Sequence, residues 1–168
     1  MNLRDNESNL YRVLDQVKQN YEKLVLVVGG LNTGKTSFVR KFAEHSGHHV
    51  LNFNLEITKC LLQIHKADRQ LKLKEVVQGI LEEQNQNIVF LDNTEILFDV
   101  QLQVNPLRLL KDLSRNQVIV ATWNGRMHNG QLLYAKPGHP EHRAETNIDF
   151  PIIDLNEQRN YDNKEGNA

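Results

Sequence analysis

Apolar residues along this chain recur in two rhythms, a spacing of three and four that fits helices and short continuous runs that fit buried strands. Leu10, Val13, Leu14, Val17 and Tyr21 share one helical face, which predicts a helix over 6–21 with Asn6 or Ser8 as its cap. The run from Leu24 to Val28 predicts a first strand. Phe38, Val39 and Phe42 predict a helix that starts near Lys35 and ends where His45 to His49 surround Gly47. Leu51, Phe53 and Leu55 alternate with Asn52 and Asn54, which predicts a second strand over 50–55.

Two helical patterns follow, one over 57–64 and one carrying Leu73, Val76, Val77, Ile80 and Leu81. Asn87 to Asp92 holds four consecutive apolar residues and ends in an acid, as expected of a strand covered on both faces of a parallel sheet. Pro106 can open a helix over 106–115, and Val118 to Ala121 predicts another buried strand that ends at Thr122-Trp123-Asn124-Gly125. Residues 125–148, with Gly125, Gly130, Pro137, Gly138 and Pro140, read as irregular; 150–155 reads as a last strand, and 156–168 as a polar, disordered tail. Strands alternating with helices imply a parallel sheet with right-handed crossovers, hence an α/β fold of three α/β/α layers in one domain over 1–155. There is no internal repeat.

Composition adds bounds rather than identity. The apolar fraction of 39% is modest and Asn and Gln are frequent, so a compact core with a large polar or partner-facing surface is expected. A formal net charge of -1 gives no overall nucleic-acid footprint, so DNA contact would have to come from a local patch, an oligomer or a partner. Lys66, Arg69, Lys72 and Lys74 are the only such patch, and they read first as a solvated face. The single cysteine, Cys60, excludes an internal disulfide and falls in the apolar spacing of Ile57, Leu61 and Ile64, as a core residue would. His45, His48 and His49 have no acidic or cysteine partner at ligand spacing and read as helix-end residues. With neither a signal-peptide pattern nor an apolar run of membrane-spanning length, a cytoplasmic protein without membrane contact is expected.

Between the first strand and its helix stands Gly29-Gly30-Leu31-Asn32-Thr33-Gly34-Lys35-Thr36, followed by Ser37, which is the G-x-x-x-x-G-K-[ST] phosphate loop in its strand-to-helix setting. Phosphate oxygens need several backbone N–H groups converging on them, and glycines let the chain turn closely enough to supply these. Lys35 would reach the β- and γ-phosphates of ATP, and Thr36 would ligate Mg²⁺. Asp92, at the end of its strand, is the expected second metal-site acid.

Hydrolysis further needs a group that orients or deprotonates water. Many ATPases place a glutamate directly after the strand acid; here that residue is Asn93, which leaves Glu95 as the available base or, alternatively, a capping residue. Thr122 and Asn124 stand at the end of the next strand, like the polar residue that senses the γ-phosphate in AAA-type ATPases. An arginine commonly meets the charge on the γ-phosphate, often from a neighbouring subunit. Arg115, Arg126 and Arg143 are candidates, with Arg143 between the fourth and last strands, where AAA-type cores usually carry this finger.

Longer wording is more specific. Leu91-Asp92-Asn93-Thr94-Glu95-Ile96-Leu97-Phe98-Asp99, Asn105-Pro106-Leu107-Arg108-Leu109-Leu110, Leu113-Ser114-Arg115-Asn116 and Tyr134-Ala135-Lys136-Pro137-Gly138-His139-Pro140-Glu141 resemble the BrxF family, the small P-loop proteins of type 3 BREX bacteriophage-exclusion systems. The resemblance covers about Leu24 to Leu155. It implies an ATP-binding, AAA-like component of a bacterial antiviral system, with a P-loop NTPase core of five parallel strands and other BREX proteins or further copies of itself as partners. It carries over Gly29, Gly34, Lys35, Thr36 and Asp92 as motif residues, and Asn93 and Glu95 without an assigned role. Full AAA-type ATPases continue into a helical lid, and the dozen or so residues after the last strand lead us to expect none here. Two functions follow, an ATPase that drives assembly or gating and a nucleotide-gated adaptor with negligible turnover. A small-molecule kinase lacks an arginine-rich lid, and guanine specificity lacks an N-K-x-D motif.

Overall fold

A computed structural model describes residues 3–156. Five parallel strands form the central sheet in the order β2-β3-β4-β1-β8, where β1 is Leu24–Gly29, β2 Val50–Asn52, β3 Ile88–Asp92, β4 Val118–Asn124 and β8 Ile152–Asp154. Every residue of β1 is buried, because β1 lies between β4 and β8 and its side chains alternate between two helical layers. Leu24, Leu26 and Val28 enter one core with helices α3 (Phe53–Leu62), α4 (Arg69–Glu83) and α5 (Pro106–Leu113). Val25 and Val27 enter the other, with α1 (Leu3–Val17) and α2 (Lys35–His45). Each such side chain stabilises the fold by roughly 1.5–3 kcal/mol relative to exposure. The three-layer α/β/α fold expected from the sequence is the one observed.

Several boundaries differ from the sequence expectation. The first helix begins before Asn6, which is buried within it rather than capping it, and it ends at Val17. Tyr21 therefore lies outside the helix, exposed, with the Arg115 guanidinium over its ring. The second strand stops at Asn52, whose side chain accepts a hydrogen bond from Leu55 N at 3.2 Å and caps α3. An asparagine cap outcompeted the alternation of Leu51, Phe53 and Leu55: Phe53 is buried on the first turn of α3 and Leu55 is exposed. Asn52→Ala should lower stability by about 1 kcal/mol, read as a shifted urea midpoint with unchanged slope. The fourth strand runs on to Asn124, the fifth helix stops at Leu113, and the last strand occupies only Ile152–Asp154.

The stretch expected to be irregular holds a three-stranded antiparallel sheet, β5 (Arg126–His128), β6 (Gln131–Tyr134) and β7 (Arg143–Glu145). Asn129 and Gly130 both have positive φ, 48° and 74°, and close the two-residue hairpin between β5 and β6. Cys60 packs against the core, as its spacing implied. Of the predicted tail, Asn156 is ordered by hydrogen bonds and 157–168 lie outside the described residues. Among the described residues no helix is long and apolar enough to cross a membrane.

Candidate nucleotide site

Parallel pairing brings the carboxyl ends of the strands to one edge of the sheet, where open α/β sheets bind ligands. Gly29 stands beside Asn124 in register, and Asn52 beside Asp92. The phosphate loop leaves β1 at this edge and enters α2 through Gly34, whose carbonyl accepts from Phe38 N at 2.9 Å. A Cβ at Gly29 would lie 2.2 Å from Thr33 Oγ1, so a side chain there would force Thr33 to move. Thr33 Oγ1 in turn donates to the Gly30 carbonyl at 3.0 Å, which holds the loop closed on itself. Leu31 projects from the loop and is 76% exposed.

Lys35 is the centre of the site. Its side chain is 9% exposed, and Nζ donates to the carbonyls of Gly29 at 2.8 Å and Gly30 at 2.7 Å. Burial pushes its pKa below the ordinary lysine value, while the nearby carboxylates of Glu95 and Asp92 act in the opposite direction. Lys35, Glu95 and Asp92 thus form one electrostatic group, although they come from α2, the turn after β3 and the end of β3.

Asp92 is buried. Its Oδ1 accepts from Thr122 Oγ1 at 3.0 Å, whereas Oδ2 is buried without a hydrogen-bond partner among the described residues. A buried carboxylate oxygen lacking a partner is costly unless a cation or water satisfies it. Asp92 together with the hydroxyl of Thr36, on the first turn of α2, therefore fits the oxygen donors of Mg²⁺. Thr122 is itself buried and orients Asp92, while Thr94 Oγ1 donates to the Thr122 carbonyl at 2.6 Å. Of the two residues proposed to sense phosphate, Thr122 thus faces inward and Asn124 is the one at the half-exposed edge.

Asn124 Nδ2 donates to Glu95 Oε1. This pairing holds Glu95 at the end of β4 and accounts for the position of a residue three beyond Asp92 on a 3₁₀ turn (Thr94–Phe98). Asn93 starts that turn in the left-handed region at φ 58°, and its carbonyl accepts from Asn54 N at 3.1 Å, so its backbone joins β3 to α3. Behind Glu95, Phe98 stacks on Tyr134 with ring centroids 3.4 Å apart, and Trp123 meets both edge-on. Burial, then the charges of Glu141 and Glu95, push the Tyr134 hydroxyl up to about 12, so it stays protonated beside the site.

The arginine candidates separate. Arg115 lies at the opposite end of the sheet, where Lys23 pairs with Ser114, and it is engaged by Glu22 and Asp112. Arg126 is exposed on β5. Arg143 lies on β7 opposite Tyr134, with its Nε buried and lacking a hydrogen-bond partner among the described residues. One site residue was missed at the sequence level. Asn156 Oδ1 accepts from Gly30 N at 2.8 Å, a contact that only the placement of β8 beside β1 creates.

Residues 25–124 match the ATPase family associated with various cellular activities (AAA). A structure of C. elegans PCH-2 is similar with a TM-score of 0.46 and 19% identity, over 73% of this chain and 37% of that one. The chain thus spans well under half the length of that protein. No curated protein matches the chain. The family match takes in more than half of the 168 residues and runs from β1 through the phosphate loop, Asp92 and Glu95 to Asn124 at the end of β4; on that ground the chain belongs to the AAA family of ATPases.

Proposed function

We propose that this protein hydrolyses ATP at the edge formed by the phosphate loop and the Glu95–Asn124 pair, and that it serves as the AAA-like ATPase component of a BREX-type bacteriophage-exclusion system. The observation that carries the catalytic part is the Glu95 carboxylate, held by Asn124 and close enough to Lys35 to influence its protonation. In this role Glu95 accepts a proton from the water that attacks the γ-phosphorus; the bond to the β,γ-bridging oxygen breaks, and ADP and phosphate leave. Lys35 supplies positive charge to the phosphates, and the loop amides from Leu31 to Ser37 surround them. Mg²⁺, when held by Thr36 and Asp92, supplies charge neutralisation at the phosphate oxygens.

The antiviral role is supported by the sequence wording around Asp92 to Asp99 and Tyr134 to Glu141. In this reading the protein works in the cytoplasm through other BREX proteins and further copies of itself, and DNA is reached through partners or the exposed Lys66, Lys72 and Lys74. Arg143 acts in the assembled form as the finger on the γ-phosphate, a role supported by its place on β7 beside Tyr134 and by a buried Nε without a hydrogen-bond partner among the described residues. Arg143→Ala should then lower turnover of the assembled protein about 100-fold while leaving ATP affinity of isolated subunits unchanged. Unchanged turnover after assembly would remove Arg143 from the site.

One observation favours a second reading, a nucleotide-gated adaptor with negligible hydrolysis. Asn93 occupies the position directly after Asp92, and Glu95 is tied to a side-chain amide. An adaptor requires ATP to favour one assembly state over another, since equal affinity for both shifts nothing. Parallel measurements of phosphate release and of assembly mass, with ATP and with a non-hydrolysable analogue, separate the two: an adaptor assembles equally with either, whereas an ATPase releases phosphate and then disassembles.

A further inference from the structure

The Gly29–Gly30 peptide group is gripped from both sides. Its carbonyl accepts from Gly125 N at 3.0 Å and from Lys35 Nζ at 2.8 Å, and its N–H, on Gly30, donates to Asn156 Oδ1 at 2.8 Å. Asn156 Nδ2 donates to the Gly125 carbonyl at 3.0 Å. Three hydrogen bonds therefore close a ring that joins the ends of β1, β4 and β8 through one peptide plane, one asparagine amide and both backbone polar groups of Gly125.

Each corner of the ring is fixed independently. Asp154 Oδ1 accepts from both the backbone N–H and Nδ2 of Asn156, each at 2.8 Å, and so sets which side of the amide faces Gly30 and which faces Gly125. Gly125 cannot carry a side chain, because a Cβ there would lie 1.8 Å from the Leu133 carbonyl of β6. Gly125 follows Asn124, whose amide holds Glu95. A single asparagine thus ties the peptide whose carbonyl receives Lys35 to the strand end that bears the Glu95 pair.

We infer that Asn156 is a positioning residue for nucleotide binding: by clamping the Gly29–Gly30 peptide against Gly125, it fixes the root of the phosphate loop, and with it Lys35, relative to Asn124 and Glu95. The inference rests on the reading of this edge as a nucleotide site. Asn156 takes the amide of the Gly29–Gly30 peptide, at the root of the loop, rather than those farther along it near Lys35. Without the clamp, that peptide is held on its carbonyl side only, and the remaining order must be supplied at the expense of binding free energy each time nucleotide enters.

The test uses the full chain in three forms: wild type, Asn156→Ala, and Asp154→Asn, which keeps Asn156 but removes the carboxylate that orients it. Amide exchange by NMR reports the clamp without nucleotide. Gly30 N–H should be protected in wild type and exchange at least about tenfold faster in Asn156→Ala, with the β3 amides unchanged. Titration with Mg²⁺ and adenylyl imidodiphosphate should then show affinity weakened roughly tenfold, together with a urea midpoint lowered by the hydrogen bonds lost in the free protein. Asp154→Asn should move both readouts the same way by less.

A residue with a merely structural role would shift the urea midpoint and leave affinity untouched, and that result overturns the inference. So does an unprotected Gly30 in wild type. A wild-type protein with a protected Gly30 that binds no analogue would instead overturn the nucleotide reading itself, and the positioning role with it.

Discussion

Lys35→Ala should abolish Mg-ATP binding in a protein that remains folded. Two carbonyls already hold the ammonium group at 2.7–2.8 Å, and the side chain is 9% exposed, so its charge acts in a weakly screened pocket. Opposite unit charges near 4 Å at an effective dielectric of 20 interact by about 4 kcal/mol, which converts to a loss of affinity on the order of a thousandfold. The fold survives because the loop keeps its other anchors: Gly125 N still donates to the Gly29 carbonyl, and Thr33 still donates to that of Gly30. Calorimetric titration beside a far-ultraviolet dichroism spectrum checks both halves. Full affinity in the variant would mean that nucleotide does not sit on this loop.

Glu95→Gln should retain ATP and lose roughly a thousandfold in turnover, within the usual range for removal of a general base. Glutamine keeps an oxygen at Oε1 to accept from Asn124, so the side chain stays where the structure places it and only its capacity to take a proton is gone. Phosphate release measured at saturating Mg-ATP, with affinity determined separately, distinguishes this from a binding defect. Undiminished turnover would remove Glu95 as the base and turn attention to Asn93 or to a group from a partner.

Much of this site was legible in the sequence because its chemistry depends on spacing along the chain. The phosphate loop, the acid ending β3 and the polar residues ending β4 each follow an apolar run, and parallel pairing alone brings those ends together. The separate tasks of Thr122 and Asn124 were not legible. They lie on the same face of β4, two residues apart, and differ in depth, with Thr122 buried against Asp92 and Asn124 at the half-exposed strand end against Glu95. Asn156 gave no signal, since it stands in a polar stretch and matters only because β8 lies against β1.

The fold was misread where local chemistry outweighed periodicity. Asn52 alternates as a strand residue would, yet its side chain caps α3 and ends the strand. Between β4 and β8, the Asn129-Gly130 pair was a usable hairpin signal, but the flanking strands hold only three and four residues, too few for their alternation to register. That small sheet matters to the site. Its Tyr134 ring meets Trp123 edge-on, and its Leu133 carbonyl accepts from Trp123 Nε1 and closes the space beside Gly125 next to the phosphate loop.

The most direct test of the central claim is steady-state phosphate release by the purified full chain with Mg-ATP, across protein concentrations and beside Lys35→Ala. An ATPase that completes its site through assembly shows turnover per subunit that rises with concentration and disappears in the variant. Tight Mg-ATP binding with no phosphate release at any concentration contradicts that account and leaves the nucleotide-gated adaptor as the function of this edge.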